Sequence, residues 1–145
     1  MDALLELFFN TTDDYAIIEL DVQGIIRRWN RGAERLFGYA AEEVEGAPGN
    51  IIFVAPDQRA NIPELELETA AERDRAEDER WHLRKDGSRF WASGLMIGVR
   101  DDGRLRGFVK VIRDCVLRTK QPARAIGERR RMRRRRCQKQ KQCGD

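Results

Sequence analysis

Three features of the sequence predict an α+β fold built on one five-stranded antiparallel sheet. Two segments rich in apolar and β-branched residues, Tyr15–Leu20 and Ile25–Trp29, are joined by the turn Asp21-Val22-Gln23-Gly24. Short helical patterns separated by glycine and proline fill the middle of the chain. Three more strand patterns then follow, joined by turns at Asp86-Gly87 and Asp102-Gly103. Strands at both ends with helices grouped between them make an α+β plan. The 145 residues suffice for one domain with one core.

Taken in order, Leu4, Leu5, Leu7, Phe8 and Phe9 form a short apolar cluster of one to two helical turns, ended by Asn10–Asp14. The hairpin of residues 15–29 comes next. Asn30 is placed to cap a helix carrying Ala33, Leu36 and Phe37 at helical spacing, which Gly38 ends. Ala41–Val44 is a further helical turn. Ile51–Val54 is apolar but too short for its period to separate helix from strand. Pro63–Arg75 reads as a solvated helix with a thin apolar stripe, because Leu65 and Leu67 do not share a helical face. Glu77–Arg84, Arg89–Arg100 and Leu105–Val116 are the three later strands.

Charge is unevenly spread. Residues 118–145 hold twelve Lys or Arg against two acids, so residues 1–117 are net acidic although the whole chain is +3. The basic pI of about 9.0 therefore describes the end of the chain and not its folded part. Cysteines occur only at 115, 137 and 143, so no disulfide framework is expected and a reducing, cytoplasmic setting is. No apolar run reaches the length of a membrane span, and Met1–Phe9 lacks the features of a signal peptide.

Several motifs make this pattern specific. The run from Gly24 through Trp29-Asn30-Arg31-Gly32-Ala33 to Leu36-Phe37-Gly38-Tyr39 is followed by Glu43-Val44-Glu45-Gly46. Arg84-Lys85-Asp86-Gly87-Ser88-Arg89-Phe90-Trp91, Gly103, Gly107-Phe108 and Ile112-Arg113-Asp114 come later. Together they resemble bacterial PAS domains over roughly residues 10–117, of the sensory-box type found in sensor histidine kinases. The resemblance implies a sheet in spatial order 2-1-5-4-3, with short helices covering one face over a central pocket. It also implies an ion pair between Glu43 and Lys85 that places the helical layer against a strand end. The chain then divides into an N-terminal helical cap (1–10), a PAS domain (11–117) and a disordered basic tail (118–145).

The same resemblance frames the chemistry. Pocket candidates are Ile18, Leu20, Trp29, Phe37 and Ile52, with His82, Phe90, Ala92, Met96 and Ile112 from the later strands. The bland reading of each is core packing. No cofactor is expected, flavin and haem being the alternatives. Adduct photochemistry needs a cysteine near residues 49–53, where Asn50-Ile51-Ile52 stands. Positions matching the flavin-holding amides are His82, Ala92 and Ile112, of which only His82 can hydrogen-bond. Residues 56–75 hold no histidine to ligate haem. No nucleophile–base pair, metal cluster or phosphate-binding loop is present, so no catalytic or metal site is expected. The acids Glu42 and Glu43, and Glu77, Asp78 and Glu79, read as solvated surface.

The expected role is a signal-sensing module of a two-component system that binds a small ligand or a partner protein. The alternatives are a ligand-free dimerisation module and a flavin- or haem-bound sensor. A homodimer through Leu4–Phe9 is expected, against the alternative that this segment folds back on its own sheet. At the end of the domain Val116 occupies the threonine position of the family's usual Asp-x-Thr motif, and Pro122 interrupts a continuing helix. The segment holding Arg129–Arg136 is read three ways: disordered without a partner, a nucleic-acid or acidic-surface contact, or the end of a truncated or frame-disrupted gene.

Overall fold

A computed structural model describes residues 3–115. The expected basic tail, with Val116, Pro122 and two of the cysteines, lies outside the described residues. Helix α1 (Ala3–Thr11) leads into strand β1 (Ala16–Leu20) and strand β2 (Ile26–Trp29). Helices α2 (Arg31–Phe37), α3 (Ala41–Val44), α4 (Ala55–Arg59) and α5 (Ile62–Arg73) follow, with a single 3-10 turn at Gly49–Ile52. Strands β3 (Arg75–Leu83), β4 (Arg89–Asp101) and β5 (Arg104–Asp114) complete the domain. The five strands form one antiparallel sheet in the order β2-β1-β5-β4-β3, which is the order the resemblance implies.

Strand alternation builds the core. Ala16, Ile18 and Leu20 of β1, Phe90, Ala92 and Met96 of β4, and Phe108 and Ile112 of β5 are buried on the face that meets the helices. Trp29, Phe37 and Phe90 stack across the layers, with Phe37 5.4 Å from each of the other two rings. Asn30 joins helix to sheet. Its Oδ1 accepts from Ala33 N at 2.9 Å, capping α2, and from Ile17 N at 2.8 Å. Its Nδ2 donates to Tyr15 O and Thr12 O. Gly32 lets α2 lie this close, since a Cβ there would stand 2.0 Å from Tyr15 O. Gly38 ends the helix in the left-handed region at φ 84°.

The structure corrects the reading of the long helix. It spans Ile62–Arg73, because Asp74 turns left-handed at φ 69° and Arg75 already pairs with Ile97 in β3. The thin stripe expected of it is there, with Pro63 and Ala70 buried against the body, but a charged residue, Glu66, is buried on the same stripe. The acids of β3 are corrected in the same way. Glu77 is exposed, but strand alternation turns Asp78 inward, leaving 6% of its side chain accessible. Ile51–Val54, ambiguous by period, divides between the 3-10 turn and a bridge from Phe53 to His82.

Candidate functional site

The inward alternation of β5 runs Phe108, Lys110, Ile112, and so places a lysine in the middle of an apolar face. Its ammonium meets Glu66 from α5: Lys110 Nζ lies 2.5 Å from Glu66 Oε1, with 2% and 6% of the two side chains exposed. The ammonium also sits over the Phe53 ring, 4.4 Å from its centroid. Asp78 approaches from β3, held by Arg80 Nε at 2.6 Å, and Arg80 reaches on to Asp57 of α4 at 3.3 Å. Gly94, opposite Asp78 in the sheet, makes the space, because a Cβ there would lie 2.4 Å from Asp78 Oδ1.

Burial and proximity divide the protons within this cluster. Burial pushes the Glu66 carboxyl up to about 7, the charge of Asp78 and their shared hydrogen bond adding to it against the pull of Lys110. Burial opposes ionisation of Asp78 too. There the charge of Lys110, the hydrogen bond from Glu66 and the neighbouring cations prevail and hold the carboxyl well below its usual range. Of the two acids, Glu66 is thus the one pushed toward holding a proton and Asp78 the one pushed toward ionisation. Arg80 is pushed upward by Asp78 in spite of burial.

His82 lies two residues beyond Arg80 on the same face. Burial, then the charge of Lys110, pushes its imidazole down to about 3, against the opposing effects of Asp78 and the bond to Ile52. It is therefore neutral at physiological pH. Its Nδ1 is 2.9 Å from Ile52 O, a carbonyl that only accepts, so Nδ1 carries the proton. Phe37, Phe53 and Phe90 surround the ring.

Two hollows flank the cluster. A cavity of about 100 Å³ lies between sheet and helices, with Lys110, Phe53 and Leu67 on its wall and Gln23, Asn50 and Glu64 bordering it. A cleft of about 200 Å³ between α5 and β3 is bordered by Glu66, Thr69, Asp78 and Arg80. Of the residues picked from the sequence, Ile18, Leu20, Ile52 and Met96 line the cavity. Trp29, Phe37, His82, Phe90, Ala92 and Ile112 are buried, but in the packed core beside it. Glu43 and Lys85 lie elsewhere, at the surface, with Oε2 and Nζ 2.5 Å apart. There Lys85 N also donates to Phe37 O, and Arg84 Nε to Leu36 O, so the end of β3 holds the end of α2.

Sequence reasoning missed Lys110, Glu66 and Asp78. The signal was present: Lys110 is in phase with Phe108 and Ile112, Glu66 with Pro63 and Ala70, and Asp78 with His82. Charged residues of opposite sign on inward faces call for one another.

The cavity is smaller than the usual site for a ligand of the size of a flavin or a haem. Sites for ligands of that class span about 300–1,000 Å³, against about 100 Å³ here. Ala92 and Ile112, which the resemblance matches to flavin-holding amides, have no polar side-chain group, and His82 bonds to Ile52. Among the described residues no group of three or more His, Cys, Asp or Glu is arranged to hold a metal ion. No helix among them is long and apolar enough to cross a membrane.

A family model described as PAS domain matches residues 13–115. The curated "Two-component system protein A" of Emericella nidulans is 41% identical over 118 residues, covering 81% of this chain. The chain spans only 17% of that protein's length. Among solved structures, the PAS domain of a protein from Colwellia psychrerythraea superposes with a TM-score of 0.70 at 28% identity, covering 78% of this chain and 97% of that one. The LOV domain of a blue-light activated histidine kinase from Erythrobacter litoralis has a TM-score of 0.60 at 22% identity, over 69% of this chain and 94% of that one. This last likeness is one of fold alone.

Proposed function

Because the chain belongs to the PAS domain family, we propose that it is a signal-sensing module that takes a small molecule into the cavity between sheet and helices and passes the signal on by protein contact. The observation that carries this reading is the cavity itself, apolar on most of its wall. The fungal relative's name supports a place in two-component signalling.

Output through self-association is favoured by α1. Leu4, Leu7 and Phe8 share one face of that helix and are exposed, while Phe9 packs under the Arg28 guanidinium at 4.1 Å. A second copy would cover the exposed face. Light scattering of the full chain and of a chain lacking residues 1–10 tests this. A monomer in both cases rejects it.

The sensory reading is tested by denaturing the purified protein and analysing what is released by mass spectrometry, alongside its visible spectrum. A colourless protein that releases a small organic molecule supports it. A flavin or Soret band would establish the cofactor-bound alternative. A colourless protein that releases nothing, and that no added small molecule stabilises, would establish the ligand-free interaction module.

A further inference from the structure

We propose that the cavity between sheet and helices takes a short-chain hydrocarbon of about four carbons, with no charged or hydrogen-bonding group. This rests on the sensory reading and names the chemistry of its ligand. Size comes first. An apolar cavity of about 150 Å³ holds the six carbons of benzene, so a cavity of about 100 Å³ takes about four non-hydrogen atoms. Ile18, Leu20, Ile52, Phe53 and Met96 form its inner wall, all of them buried. Leu67 stands at the entrance, where Gly24 gives it room: a Cβ at residue 24 would lie 2.8 Å from Leu67 Cδ1.

The chemistry follows from what the inner wall can offer. None of those side chains makes a hydrogen bond of ordinary strength. Lys110 also borders the cavity, but its Nζ is shielded and lies against Glu66 and the Phe53 ring, so a ligand meets only its methylene stem. The backbone is committed as well. Ile18 and Leu20 pair with β2 and β5, and Met96 with β3 and β5. Gly49 N donates to Gly24 O, and Ile52 O accepts from His82. Gln23, Asn50 and Glu64 stand at the rim, where Gln23 and Glu64 face solvent. A hydroxyl, a carbonyl or a charge carried inside would give up its hydration and find no partner. A hydrocarbon has no such hydration to lose and gains by leaving water.

The test is a titration of the full chain carrying 13C-methyl methionine, reading the Met96 methyl on the cavity wall. The probes 2-methylpropene, propanone, acetate and acetamidinium share one trigonal frame and size, and are in turn apolar, dipolar, anionic and cationic. The hydrocarbon is expected to shift Met96 saturably with a dissociation constant of about 1 mM. Propanone is expected to bind at least about tenfold more weakly, and the two ions at least about a hundredfold. Leu67→Trp, which fills the cavity from its partly buried entrance, is expected to weaken 2-methylpropene at least about tenfold. An unchanged affinity in that variant would place the binding elsewhere and overturn the inference. Binding of propanone or either ion as tight as that of 2-methylpropene also overturns it, and leaves the sensory reading standing. Met96 unmoved by all the probes, the hydrocarbon at saturation and the others at about 50 mM, overturns both.

Discussion

Lys110 Nζ and Glu66 Oε1 stand 2.5 Å apart inside the domain, so the central strand β5 and the helix α5 are tied by a polar contact as well as by apolar packing. Asp78, ionised beside them, depends on the same ammonium. Removing one partner of a buried ion pair leaves an uncompensated charge and costs about 3–5 kcal/mol. Lys110→Met is expected to lose stability in that range in urea unfolding. Adding Asp78→Asn removes the orphaned charge, and the double variant is expected to recover at least half of the loss.

His82 gives the domain a pH dependence of known sign. Its folded pKa, about 3, lies below the ordinary value of 6.5. Its contribution is therefore fully present above about pH 6.5 and is lost as pH falls, because the unfolded chain then binds a proton that the folded one refuses. Glu66 acts in the opposite direction. Its folded pKa is raised from 4.5 to about 7, so its cost grows as pH rises between those values. The two slopes offset each other between about pH 4.5 and 6.5. Below that window His82 and Asp78 act together, and stability is expected to fall steeply. His82→Phe removes one slope and exposes the other. The destabilisation it causes is expected to be about 2 kcal/mol larger at about pH 7 than at about pH 5, measured by urea unfolding at both. An equal effect at the two values would mean that His82 is not neutral in the fold.

The fold was legible because its punctuation is local. Gly38 ends a helix by its own backbone preference, the Asp86-Gly87 and Asp102-Gly103 turns set hairpins, and Asn30 caps the helix that follows it. The site was less legible, because it arises where three distant segments meet. Residues 66, 78 and 110 each looked ordinary among many charged neighbours. Only the phase of each against its own element marks it as inward. The apolar candidates were picked by the same phase, which identifies inward residues but not cavity walls. Thus Met96 borders the cavity, while Ala92, four residues earlier on the same strand face, is fully packed.

Asn30 carries more than a helix cap. Four backbone groups depend on it: two N–H donors and two carbonyl acceptors, from α2, β1 and the segment between α1 and β1. Loss of an N-cap alone costs about 1 kcal/mol, and each buried backbone group left unpaired adds about 1–3 kcal/mol. Asn30→Ala is expected to cost at least about 3 kcal/mol. Asn30→Asp keeps both acceptor bonds and loses both donor bonds, and is expected to fall between the two. Thermal unfolding of the three proteins checks the order.

Gly94 is the position where sheet geometry admits the polar cluster. Its neighbour across the ladder is Asp78, and a methyl group at residue 94 would overlap Asp78 Oδ1 at 2.4 Å, with Lys110 Cε 3.7 Å away. The backbone there is ordinary strand, so alanine meets a steric and not a conformational obstacle. The carboxylate cannot simply swing aside, because Arg80 holds its other oxygen at 2.6 Å. Gly94→Ala is expected to cost about 1–3 kcal/mol as an overpacking change. The cause can be isolated by a double-mutant cycle. In an Asp78→Ala background the obstructing oxygen is gone, and Gly94→Ala is expected to cost less than half as much. Additive costs would show that the glycine serves the strand and not the carboxylate beside it.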